Sequence, residues 1–170
     1  MTATAKETYT RCRAESLAKR IEAGAANLAA FVEGLSEAQW RTPVSPNDRR
    51  SIGVIVHHVG AAYPVEIQLA LLVASGEPVS DVTWELVAEM NAKHSQEHDG
   101  VTKAAALELL RQNSREAATV VRGLTDEQLD TAAPFSLSSG APVTTQFVIE
   151  DHALRHSWHH LAGIKKAVNR

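Results

Sequence analysis

The stretch "EDHALRHSWHHLAGIKKAV", residues 150–168, carries four of the chain's eight histidines within nine positions. It contains no proline, and its apolar residues recur at helical rather than strand spacing. On a wheel of about 100° per residue, Ile149, Ala153, Ile164 and Ala167 gather on one face, with His156 and His160 at the centre of that cluster. Asp151, Arg155, Lys165 and Lys166 lie on another side, the solvated one, and His152 and His159 sit at the border. Two imidazoles four residues apart therefore face inward, with Cβ atoms about 5–6 Å apart, close enough to share one ion. A helix that buries such a face needs other helices to bury it against, and this requirement sets the fold class.

The facing partner is "SIGVIVHHVGAAYPVEIQLALLV", residues 51–73. Val54, Ile55, Ala62, Val65, Leu69 and Leu72 define its expected apolar face, with His58 among them and His57 off to the side near Gln68. A buried neutral imidazole without a partner costs about 1–3 kcal/mol. One divalent cation would satisfy His58, His156 and His160 together. Three nitrogen ligands leave a coordination position open, the pattern of catalytic rather than structural metal sites. Zinc, nickel, iron and copper all suit imidazole ligands, with zinc or nickel the expectation. The alternative is a bundle in which the histidines only hydrogen-bond. His94 and His98 share the four-residue spacing, but the polar context "NAKHSQEHDG" reads as a solvated helix end. Glu66 reads as a partly exposed ion-pair partner, the alternative being a carboxylate that orients a ligating ring.

The rest of the chain supplies more helices. Residues 6–34 repeat Leu17, Ile21, Leu28, Phe31 and Leu35 at helical spacing and stop near Gly34. Ser51 caps a helix to about Ser75, with Pro64 expected to bend it. Further helices are expected over 80–98, 103–122 (capped by Thr102) and 145–168. Residues 41–50 and 132–143 read as loops, and "VTTQFVI" (143–149) is the best strand candidate. The frame V-x-G-L-[ST]-x-x-Q-[WL] occurs twice, at 32–40 and 121–129, each time before a loop and a histidine-bearing helix. The echo suggests two similar helical hairpins packed face to face, the alternative being a coincidence of common helix-end residues. The expectation is an all-α protein, one domain over residues 1–170: an antiparallel four-helix bundle plus one additional helix, 80–98, as an appendage or lid.

Composition agrees. Hydrophobic residues make up 44% of the 170, enough for a core, and aromatics only 5%, which suits close-packed helices. A net charge of −3 argues against nucleic acid as a partner. The single cysteine, Cys12, excludes an internal disulfide framework and cysteine-based zinc motifs. No signal-peptide pattern opens the chain, and no apolar run approaches the ~18 residues of a membrane span, so a cytoplasmic protein without a membrane partner is expected. Leu154, Trp158 and Leu161 form a stripe that could make a homodimer or pack beneath the third helix.

The histidine segments resemble those of the DinB-like (DinB/YfiT) superfamily. "SIGVIVHHVGAA" matches its second helix, in which a serine precedes a histidine by seven positions, here Ser51 and His58. "RHSWHHLAGI" matches its closing helix, with His156 and His160. The stretch 87–130 is similar to the middle of such proteins. The resemblance implies a four-helix bundle with a divalent metal held by His58, His156 and His160. It also implies kinship with enzymes that use a low-molecular-weight thiol, such as mycothiol-dependent maleylpyruvate isomerase and bacillithiol S-transferases. Two positions depart from the pattern: Gly163 stands where Gln is common, and Arg50 where Trp is common. The implied function is a metal-dependent S-transferase or isomerase of detoxification type acting on a small electrophile. A metal-binding module without turnover and a metal-dependent hydrolase are the alternatives.

Overall fold

The structure, a computed structural model, describes residues 12–169; the first residues of the helix expected from position 6 lie outside them. Helix α1, Cys12–Glu33, buries Leu17, Ile21, Leu28 and Val32 together with a run of small alanines. A short α2, Glu37–Trp40, follows, then α3, Ile52–Ala74, capped by Ser51, whose Oγ accepts from Val54 N. Helix α4 spans Trp84–Glu97 and α5 Lys103–Arg122, capped by Thr83 and Thr102. After α6, Asp126–Asp130, strands β1, Ala132–Pro134, and β2, Pro142–Thr144, pair antiparallel. The chain closes with α7, Thr145–Val148, a π-helical segment, Ile149–Leu154, and α8, Arg155–Val168.

Two local expectations change. The loop at 132–143 contains a small hairpin, too short to show alternation in sequence. Of the strand candidate 143–149 only the first two residues are extended; Thr144 then caps α7 by accepting from Phe147 N. Pro64 lies on the exposed side of α3, which continues through it to Ala74.

The architecture is the expected four-helix bundle, built from α1, α3, α5 and α8, and side-chain pairs give its directions. Arg122 binds Glu15 and Glu22 while Arg111 binds Glu33, so α1 and α5 are antiparallel. Glu66 meets His156 and His58 meets His160, so α3 and α8 are antiparallel. Arg13 binds Gln146, Arg20 binds Glu150 and Gly24 abuts Trp158, so α1 runs parallel to the closing helix. It follows that α3 and α5 are parallel. Each helix packs mainly on two neighbours, in the ring order α1, α5, α3, α8. The expectation of two hairpins stacked face to face is therefore corrected. The helices of each repeat, α1 with α3 and α5 with α8, stand diagonally, and the halves interlock.

The repeat itself is structural. Ser36 and Gln39 form a reciprocal capping box, and so do Thr125 and Gln128. Trp40 and Leu129, which end the two frames, are fully buried. Thr42 O accepts from Ile52 N, and Thr131 O, 89 positions after Thr42, accepts from Thr145 N. Each half thus ties its loop back to the start of its histidine-bearing helix.

Parallel α3 and α5 need a connection that travels the length of the bundle. Residues 75–102 provide it, with α4 as the crossing piece lying against α3. The crossing starts beside the hairpin, where Val79 N donates to Pro134 O. It ends near α2, where Trp40 Nε1 donates to Val101 O at 3.1 Å. Helix α3 therefore has neighbours on several sides, and its buried residues are Ile52, Val56, Val59, Tyr63, Ile67, Ala70 and Val73 among others. The stripe expected from the wheel was misplaced: Val65 is 49% exposed and Leu69 only partly buried. By length and hydropathy alone α3 also passes for a membrane span, contrary to expectation; half of that span is buried among the other helices. At Gly60 the contact with α5 is backbone to backbone: a Cβ there would lie 2.9 Å from Leu110 N. Asn113 Nδ2 donates to Gly60 O at 2.9 Å across the same seam.

Candidate metal centre

His58 sits on the second turn of α3, on the flank facing α8. Its position follows from the Ser51 cap, which fixes where the helix starts. His156 and His160 sit on α8 directly after the π-helical segment. In that segment Arg155 N bonds Glu150 O, five residues back, so each turn holds an extra residue. The wheel drawn for a regular helix therefore loses register there. The buried stripe of the closing helix is Leu154, Ser157, Leu161 and Ile164, packed largely on α1 and α3. His156 and His160 lie beside that stripe, on the α3 side, rather than at its centre. Leu154 and Leu161 are core residues, not a surface stripe; of the three proposed for a dimer, only Trp158 is exposed, at 42%, against Gly24 of α1.

The structure brings the three expected residues together. One nitrogen from each of His58, His156 and His160 lies within 4.8 Å of the others. His156 Nε2 is 3.1 Å from His58 Nε2, and the His58 and His160 rings stand edge to face at 5.5 Å between centroids. Zinc–nitrogen bonds of about 2.0–2.1 Å put tetrahedral ligand atoms about 3.4 Å apart, so the spacing fits a shared ion.

Glu66 completes the arrangement. Its Oε1 accepts from His156 Nδ1 at 2.7 Å, with the two side chains 12% and 16% exposed. The reading of Glu66 as a partly exposed ion-pair partner is corrected: it lies two turns past His58 on the same helix and reaches across to the opposite one. With its Nδ1 hydrogen given to Glu66, His156 presents Nε2 as the ligating nitrogen. That carboxylate–histidine pairing typically orients a metal ligand. Burial, with the neighbouring His156 as the next cause, lowers His58 to about 3 and His160 to about 2, so both rings are neutral at physiological pH and keep a lone pair for a cation. One turn away, Tyr63 OH and Ser157 Oγ share a buried hydrogen bond of 2.6 Å that braces α3 to α8, and burial pushes the phenol pKa up. At the rim, Arg50 is held by Asp48 through Nε at 2.9 Å and Nη2 at 2.7 Å. This pair stands where the sequence departs from the family pattern, and the guanidinium further lowers His58 and His160.

The other histidines fall into two groups. His152 is partly buried beside Phe135, which lowers its pKa, while His159 is exposed against the His160 ring. His94 and His98, read as solvated, instead meet His57. The chain's crossover placed them there, a long-range effect that local polarity does not reveal.

The family model of the DinB superfamily matches residues 20–164, and the chain belongs to that superfamily. Its fold is similar to a solved structure described as "YfiT from Bacillus subtilis is a probable metal-dependent hydrolase with an unusual four-helix bundle topology". The two share 20% sequence identity and a TM-score of 0.75 over 92% of this chain and 86% of that one. No curated protein matches the sequence.

Proposed function

We propose that this DinB superfamily member is a divalent-metal-dependent enzyme, with His58, His156 and His160 as ligands and Glu66 fixing the His156 ring. One observation carries the reading: His156 offers one ring nitrogen to Glu66 and turns the other on His58 Nε2 at 3.1 Å. Three neutral nitrogens leave the full charge of the cation uncompensated and at least one position open. A cation bound there supplies Lewis acidity, which makes a coordinated thiol or water nucleophilic near neutral pH.

The nucleophile we assign is a low-molecular-weight thiol of the mycothiol or bacillithiol kind, with a small electrophile as substrate, giving an S-transferase or isomerase. The site's own residues support this choice. Glu66 gives its Oε1 to His156, and protonating its other, buried oxygen would weaken that bond. Asp48 is engaged by Arg50. A thiol, with a pKa near 8.5, needs far less help to ionise than water does. Within this scheme Glu66 holds the ligating ring in one orientation, Tyr63 and Ser157 hold the two helices at fixed spacing, and the Arg50 guanidinium favours an anionic group at the rim. Zinc or nickel is the assigned metal.

Hydrolysis is the second reading, favoured by the description of the structurally similar YfiT as a probable metal-dependent hydrolase. The test is to load the protein with zinc or nickel and add monochlorobimane with and without a bacterial thiol, beside a panel of activated esters and amides. Metal-dependent conjugation that His58→Ala abolishes supports the thiol reading. Thiol-independent ester cleavage, lost in the same variant, replaces it with hydrolysis. Metal binding without either turnover makes the protein a binding module.

A further inference from the structure

A second histidine cluster lies beside the first and takes no part in the function proposed above. His57 comes from α3, His94 and His98 from α4, and one nitrogen of each lies within 4.8 Å of the others. His57 Nδ1 and His94 Nε2 are 2.8 Å apart. The His57 and His98 rings are 4.0 Å apart between centroids, and those of His94 and His98 4.6 Å. Hydrogen bonding alone does not complete this cluster: His94 Nδ1 is buried with no partner.

The helix that contributes two of the three rings gives the cluster a structural task. None of the residues of α4 is buried. Trp84 and Met90 are exposed, so apolar packing holds this crossing segment weakly. His94 and His98, one turn apart on one face, are where it meets α3.

We propose that His57, His94 and His98 form a second site for a divalent transition-metal ion, which fastens α4 to α3 next to the first centre. The ligand set is again three neutral nitrogens on two helices, and it calls for the same class of ion, zinc, nickel or cobalt. The sites are neighbours: His57 and His58 are consecutive, and the His58 and His94 rings stand 5.6 Å apart. An ion in the second site would hold α4 along the edge of the first.

The test is a titration of metal-free full-length protein with Co²⁺, reading absorbance for stoichiometry and amide hydrogen exchange over residues 84–97. Two equivalents per chain are expected. His57→Gln with His98→Gln should leave one equivalent, and in that variant exchange over 84–97 should no longer slow on adding cobalt. His156→Gln with His160→Gln should also leave one equivalent, but keep the slowing at 84–97. That reciprocal pair separates the second site from the first, so either can fail alone. A single equivalent in the unmodified chain overturns the proposal. So do two equivalents that survive His57→Gln with His98→Gln, or a second equivalent bound only at millimolar cobalt.

Discussion

Glu66 offers the sharpest perturbation, because its removal should lower metal affinity while leaving metal-free stability nearly unchanged. Its Oε1 binds His156 Nδ1 at 2.7 Å in a seam where solvent screens little, while its Oε2 is buried without a partner. In the metal-free protein the carboxylate therefore makes one good bond and carries one uncompensated atom, two terms of about 1–3 kcal/mol each that largely cancel. With a cation on His156 the balance changes, since the carboxylate then raises the basicity of the ligating ring. Losing such a partner typically lowers metal affinity 10–100-fold, about 1.4–2.7 kcal/mol. Glu66→Gln keeps an acceptor oxygen and loses the charge, so it should fall near the tenfold end; Glu66→Ala should fall near the hundredfold end. Competition between the protein and a chromophoric chelator for Zn²⁺ reads the affinity, and thermal unfolding of the metal-free protein reads the stability. Glu66→Gln is expected to leave the metal-free melting temperature unchanged within about 0.5 kcal/mol of stability. Affinity unchanged in Glu66→Ala would refute the orienting role. A parallel loss of stability and affinity would make the residue merely structural.

The remaining expectations concern pH and packing. His58 and His160 stay neutral in the folded protein to about pH 3 and 2, whereas in the unfolded chain they protonate near 6.5. Below about pH 6.5 the unfolded state thus takes up protons that the folded state refuses, and stability falls by about 1.4 kcal/mol per ring for each further pH unit. Melts of metal-free protein between pH 7 and 5 should show this decline, and a flat profile would contradict the burial of the two rings. Tyr63→Phe leaves Ser157 Oγ buried without its partner and should cost about 1–3 kcal/mol, measured by denaturant unfolding. Gly60→Ala forces a methyl against the Leu110 backbone, which has no side chain to move aside, and should cost about 1–3 kcal/mol by the same measurement, unlike Gly100→Ala, where nothing is near.

What the sequence revealed depended on how local the cause was. Capping residues act within three positions, so Ser51 and Thr102 marked helix starts correctly. The convergence of His58, His156 and His160 was legible because each is a polar residue in apolar surroundings, a contradiction that a wheel exposes. The wheel failed where its assumptions did. Helix α3 is apolar on nearly every side, so no single stripe stands out, and Val65 was placed inside although it is exposed. The closing helix changes pitch over Ile149–Leu154, so positions beyond that segment cannot be extrapolated from positions before it. Glu66, His94 and His98 were misread for another reason: their partners are 90, 37 and 41 positions away, and nothing in their own neighbourhoods announces them.

The twofold echo in the chain explains where the centre forms once the packing order is known. Were each half a closed hairpin, α3 would pack on α1, and its inward face would be satisfied within its own repeat. The halves instead interlock, so every adjacent pair in the ring joins one half to the other. A site at any seam must then draw on both halves, as the first triad does with His58 from one and His156 and His160 from the other. The halves are alike in their frames and caps but not in the helices that follow: Ser51 precedes His58 by seven positions, whereas Thr144 precedes His156 by twelve, across the π-helical segment. Only one histidine of the first helix meets two of the second, and the result is an odd set of three rather than a symmetric four. The departure from symmetry is seated in one irregular turn before His156. Restoring a regular helix by deleting one residue within 150–154 should rotate His156 and His160 away from His58 and abolish metal binding by that triad while leaving the helical content intact.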